Sequence, residues 1–144
     1  MSDTEPRNPV SAPQMLADAL LRSVAGTSAL LRVTSTNTDT SQSELGILAT
    51  TFYDVVVSPV AMRRLRPSWE SDNTMRWELL VSASSVAVQV QNLQLDSAQA
   101  LFALTLLITV AGQDYVILSV SASEAFGQVY LYRLLVQEAR VQNI

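Results

Sequence analysis

Met75-Arg76-Trp77-Glu78-Leu79-Leu80-Val81-Ser82-Ala83 is the stretch on which the fold of this chain turns. Met75, Trp77, Leu79, Val81 and Ala83 fall on one side and Arg76, Glu78, Leu80 and Ser82 on the other, the alternation of a strand with one face on a core. Downstream, Val86, Val88 and Val90 against Ala87, Gln89 and Gln91 continue the period and predict another strand. Upstream, the same period predicts strands at Ala29 to Ser35, Thr50 to Val57 and Val60 to Arg66. Pro59 and Pro67 act as terminators because proline cannot donate to a strand ladder. Between the first two of these strands, Thr36 to Glu44 holds no apolar residue and reads as an exposed loop.

Toward the C-terminus the pattern becomes apolar on both faces. Asp96 or Ser97 can cap a short helical turn through Gln99 and Ala100, after which Leu101 to Val110 is almost continuously apolar, as a strand buried on both sides would be. Ala111-Gly112-Gln113-Asp114 is a turn, Tyr115 to Val120 returns as a hairpin, and Ser121 to Gly127 is a loop. In the last strand, Gln128 to Gln137, Val129, Leu131 and Leu135 lie opposite Tyr130, Tyr132, Leu134 and Val136. Two such strands carry more apolar surface than one small helix can cover, so the natural cover is another subunit, with Tyr130 and Tyr132 among the residues expected to meet it.

The helix itself is predicted at Ala12 to Ala25. Ser11 and Gln14 form a capping box with Pro13 in the first turn, Gly26 is expected as a left-handed cap, and Leu16, Leu20 and Val24, flanked by Met15 and Ala19, form the expected buried stripe. Residues 1–10, polar and bearing Pro6 and Pro9, form an extended N-terminal arm that is either a disordered tail or ordered by a partner. The remainder, residues 11–144, is one β-rich domain. The expected fold class is mainly β, a small antiparallel barrel or sandwich with one N-terminal helix.

Composition restricts the chemistry. The 144 residues include no histidine, cysteine or lysine, which removes the side chains that most often serve as bases, nucleophiles and metal ligands near neutral pH. Ser82, Ser84 and Ser85 have no base to activate them and are expected at a strand end or bulge. Asp39, Glu44, Asp54, Glu70, Asp72 and Glu78 could furnish a glycosidase-type carboxylate pair, but sequence sets no separation between them, and loop and rim carboxylates are the plainer reading. The expectation is a non-enzyme with no catalytic residues, cofactor or metal. A formal charge of −4 argues against a general nucleic-acid binder, and only 15% of residues are charged, which suits a surface that meets other protein. No apolar run approaches the roughly 20 residues of a membrane-spanning helix and no signal-peptide core opens the chain, so a soluble protein made in the cytoplasm is expected.

The one concentration of charge is Arg63-Arg64-Leu65-Arg66-Pro67-Ser68-Trp69. Arginine and tryptophan are the residues interface hot spots favour, and Arg63, Arg64, Arg66 and Trp69 are candidate interface residues. The competing readings are a solvated edge strand paired locally with Glu70, Asp72 or Glu78, and a nucleic-acid surface with arginines on phosphates and the indole on a base. Alternation places Arg64 and Arg66 on one face and Arg63 on the other.

Gly112-Gln113-Asp114-Tyr115-Val116-Ile117-Leu118-Ser119-Val120, followed by Tyr130-Leu131-Tyr132-Arg133-Leu134-Leu135, resembles the closing hairpin and strand of small tailed-bacteriophage neck proteins of the head-closure or head-tail adaptor type. The stretch Val60 to Val88, with Arg66-Pro67 before a polar loop and then Trp77-Glu78-Leu79-Leu80-Val81, is similar to neck proteins as well, so the likeness covers the chain from Val60 onward. The helix and proline-bearing arm near the N-terminus depart from that pattern and leave adaptor, head closure and tail terminator open. The resemblance implies a virion protein at the head-tail junction, assembled as a homo-oligomeric ring, hexamer or dodecamer, that continues the DNA channel without sequence-specific binding and docks to portal or adaptor and tail proteins. Pro6 and Pro9 of the arm would fold onto a partner. The alternative is a small β-barrel ligand-binding or protein-interaction module.

Overall fold

The computed structural model describes residues 11–23, 26–35, 51–65 and 75–139. In chain order these form α1 (Ala12–Ser23), β1 (Thr27–Ser35), β2 (Thr51–Arg64), β3 (Arg76–Ser82), α2 (Ala83–Asn92), α3 (Ala98–Leu104), β4 (Thr105–Val110), β5 (Gln113–Ala125) and β6 (Gln128–Glu138). The six strands pair antiparallel throughout and close into a barrel in the order β1-β2-β3-β6-β5-β4. The expected mainly-β fold with an N-terminal helix is what the chain adopts. Its interior is filled by Leu31, Val57, Leu79, Val81, Ile108, Leu134 and Val136, all at or near zero exposure, and α2 and α3 contribute Val86, Leu101 and Phe102 to the same core.

Four sequence expectations are corrected by local chemistry. Pro59 does not end a strand: β2 runs through it, pairing with β1 as far as Val60 and with β3 from Val60 onward, so the proline occupies the corner where the strand changes partners and the β1 register shifts. Val86 to Val90 is not a strand but the middle of α2. Ser82, the last residue of β3, accepts from the Ser85 backbone N–H and caps the helix start, and of the three alternating valines Val86 is buried while Val88 is exposed, as a helical turn dictates. The apolar run from Leu101 divides: Ser97 caps α3 through the Ala100 N–H at 3.1 Å, α3 continues to Leu104, and the strand begins at Thr105. The segment read as a loop from Ser121 remains strand to Ala125, and the reversal is a two-residue turn at Phe126-Gly127 with φ of 54° and 76°.

Helix α1 has the capping box its sequence predicts, with Ser11 N donating to Gln14 Oε1 and Gln14 N to Ser11 Oγ. Of the expected buried stripe, Leu16 and Leu20 are on the outside, while Val24 lies outside the described residues. Ala17, Asp18 and Leu21 face the barrel, whereas Met15, Leu16 and Leu20 are exposed. The reason is polar: Gln14 Nε2 donates to the Val129 carbonyl at 3.0 Å and Asp18 Oδ2 accepts from Ser84 Oγ at 2.7 Å, two bonds that fix the rotation of the helix over β6, β3 and β2. Gly26 is not a left-handed cap. A Cβ there would stand 2.6 Å from the Leu21 carbonyl oxygen and 2.7 Å from Arg22 Cα, so glycine is needed for close approach to the helix end.

Two consequences can be measured by urea unfolding. Leu134→Ala removes a fully buried core side chain and is expected to cost about 2–5 kcal/mol. Ser82→Ala removes the α2 cap and is expected to cost about 0.5–2 kcal/mol.

Candidate functional site: exposed apolar surfaces around the barrel

Strands of unequal length leave strand edges beyond their shared ladders. The first half of β2 extends past the reach of β3, and α2 covers it there: Ser58 N donates to Ser85 Oγ and Gln89 Nε2 donates to the Val56 carbonyl. The start of β6, Gln128 to Tyr130, extends past β3 as well and is met by Gln14 of α1. Strand β5 differs. It pairs with β4 only over Gln113–Tyr115, and from Val116 to Ala125 it has β6 on one edge and no strand on the other among the described residues. Leu118, the extra residue of a bulge opposite β6, is exposed beside this edge, as is Val120, and Leu106 is exposed at the corresponding irregularity of β4.

The hairpin ends in Phe126, 97% exposed and at a left-handed φ of 54°. A two-residue turn with positive φ at both positions selects Asn, Asp or Gly at the first. Gly127 meets that demand at the second position; phenylalanine at the first is both strained and wet. The signal was available in sequence, since an aromatic residue directly before the glycine of a tight turn has no local reason to be there.

A second apolar surface lies on the outside of β1 and β2. Val55 and Val57 point into the core, so Phe52 and Val56 point outward, 49% and 51% exposed, and Leu30 stands opposite Val56 on β1. Between them Arg32 and Asp54 face each other across the strands, joined through Arg32 Nε at 3.3 Å. A third surface is the outer side of α1, where Leu16 and Leu20 are 63% and 58% exposed.

The residues expected at an interface separate into three groups. Arg63 is engaged within the chain, its Nη2 2.7 Å from Glu78 Oε1 directly across the β2–β3 ladder, which is the local pairing that competed with the interface reading; Arg64 is exposed. Arg66, Trp69, Pro6 and Pro9, with the arm and the Thr36 to Glu44 loop, lie outside the described residues. Tyr130 is half-buried at a β6 bulge, and Tyr132 packs edge-on against Phe102 with ring centroids 5.4 Å apart, so Tyr132 helps hold α3 to the barrel. The two-sided character of β6 is satisfied partly within the molecule: Leu134 and Val136 enter the core, and Leu131 is buried outside it along with Ala17 and Leu21 of the overlying α1.

No chemistry-bearing cluster emerges among the described residues. No group of three or more acidic side chains is placed to hold a metal ion there, and no helix is long and apolar enough to cross a membrane. Ser82, Ser84 and Asp18 form a hydrogen-bonded chain, but it joins α1 to the start of α2 and contains no proton-accepting nitrogen. Comparison with protein-family models, with curated proteins and with solved structures found no match to this chain.

Burial, reinforced by Glu138, raises the Tyr115 hydroxyl above its ordinary pKa, and burial with Glu124 does the same for Tyr132. A raised phenol favours the folded state below the unfolded value, and that contribution is lost as pH climbs through the folded one. Unfolding midpoints in urea should therefore hold from neutrality to about pH 10 and fall above it, less steeply in Tyr132→Phe. Relief of backbone strain leads to a separate expectation: Phe126→Asn should raise stability by about 1 kcal/mol by thermal or urea unfolding.

Proposed function

We propose that this chain is a non-enzymatic structural subunit that assembles with copies of itself into a ring, and that the ring is a component of the tailed-phage head-tail junction, where it continues the DNA channel and docks to portal or adaptor and tail proteins. One observation carries the self-assembly reading: after folding, the barrel still presents apolar surface in separate places, on α1, on the outside of β1 and β2, and along β5 to Phe126. Soluble monomers seldom leave several such surfaces in water. The junction assignment rests on the sequence resemblance described above. A hexamer or dodecamer is the expected size, formed in the host cytoplasm and carried in the virion, and a net charge of −4 suits a channel that lets DNA pass without gripping it.

The alternative of a ligand-binding barrel draws less support, because the inward strand faces meet in a core filled by Leu31, Leu79, Leu101, Ile108 and Leu134 rather than around a chamber. Electron microscopy of the purified protein is expected to show rings with an open centre, and those rings should bind purified portal or tail-completion proteins of the same phage. A protein that stays monomeric at high concentration and binds none of these components ends the proposal.

A further inference from the structure

We infer that the hairpin tip at Phe126 and the outer face of β2 are the two halves of one head-to-tail contact between copies of this chain, with Phe126 seated against Phe52 and Val56 of the next copy and Glu124 reaching its Arg32. The inference rests on the self-assembly reading but not on the phage assignment.

Position comes first. In the closed order β1-β2-β3-β6-β5-β4, β2 and β5 are three strands apart in either direction, so they occupy opposite sides of the barrel. A contact joining opposite sides of identical subunits is heterologous, and repetition of it generates a ring when the rotation closes. The chemistry of the two surfaces matches as well. Phe126 is a fully exposed aromatic on a two-residue tight turn, the form of side chain that anchors interfaces, and the outward face of β2 offers an exposed aromatic, Phe52, and an exposed aliphatic, Val56. Glu124 is exposed two residues before Phe126 and is the one charged residue between Tyr115 and Gln128. Arg32, on the same face as Val56 and Phe52, meets Asp54 through Nε at 3.3 Å with its side chain about half exposed, so a second carboxylate can approach its guanidinium.

Pairing each surface with itself fits less well. Tip against tip would set Glu124 beside Glu124, and β2 against β2 would bring together two faces that both lack the projecting residue. The backbone strain at Phe126 acquires a purpose in the head-to-tail contact, since the turn holds the ring away from the barrel where a neighbour can enclose it.

Complementary variants test this. Phe126→Asn removes the tip anchor and keeps the receiving face; Val56→Asp does the reverse. Sedimentation velocity is expected to show higher oligomers for the unaltered chain and monomers for each variant alone, with self-association weakened at least about thirtyfold. Circular dichroism checks that both variants fold, and Phe52→Asp replaces Val56→Asp if that variant does not. Mixing the two variants is the decisive step: one intact tip meets one intact face, so the mixture should form a heterodimer and nothing larger. Persistence of full assembly in Phe126→Asn, a mixture that remains monomeric, or an unaltered chain that is monomeric throughout would each overturn the inference. Rings that assemble through this contact but bind no portal or tail protein would leave it standing and remove only the phage assignment.

Discussion

Closing six strands of unequal length into one barrel leaves backbone hydrogen-bonding groups without neighbours, and the rest of the structure is arranged around that constraint. β3 has seven residues, while β2 and β6, which it joins, have fourteen and eleven. A free edge buried without partners is costly, and an exposed one invites pairing with another chain. The helices answer at two places. α2 supplies Ser85 and Gln89 to β2, and α1 supplies Gln14 to β6, each by a side chain donating to or accepting from the strand backbone.

The same bonds explain which apolar surface stays in water. Gln14 and Asp18 rotate α1 so that Ala17 and Leu21 are buried, and the larger Met15, Leu16 and Leu20 are carried to the outside. On hydrophobic area alone the helix would turn the other way. Two directional hydrogen bonds, one of them to the Asp18 carboxylate, are each comparable in worth to a buried methylene group or more, and they are met only in the observed rotation. The resulting exposed leucines add to the exposed apolar side chains of Phe52, Val56, Leu118 and Phe126 elsewhere on the barrel.

Much of the barrel was legible in residues. The alternation Trp77, Leu79, Val81 announced β3 and its core face, the Ser11/Gln14 pair announced the start of α1, and Gly112 marked the tight turn between β4 and β5. The failures are equally specific. Val86 to Val90 alternates like a strand, but Ser82 directly before it makes a helix cap, and a cap outweighs a short periodicity when the chain must cross the end of a barrel. Of the candidate interface residues, Arg63 was drawn into a cross-strand ion pair and Tyr132 into packing against Phe102. Phe126 was missed because the segment from Ser121 read as a loop, so the tight turn that gives an aromatic residue before its glycine a meaning was not recognised.

By itself the sequence determined the class of fold and the poverty of reactive groups, because both follow from residue identity: the period of apolar side chains selects strands, and a chain without histidine, cysteine or lysine lacks the usual means of moving protons or holding metals near neutral pH. Only the tertiary structure decided which apolar faces are covered and which are exposed among the described residues. Periodicity states that a face is apolar, but whether that face meets the core or the solvent depends on the register of strands far apart in sequence and on the few hydrogen bonds that set the rotation of a helix. Those are long-range geometric facts that no local pattern contains.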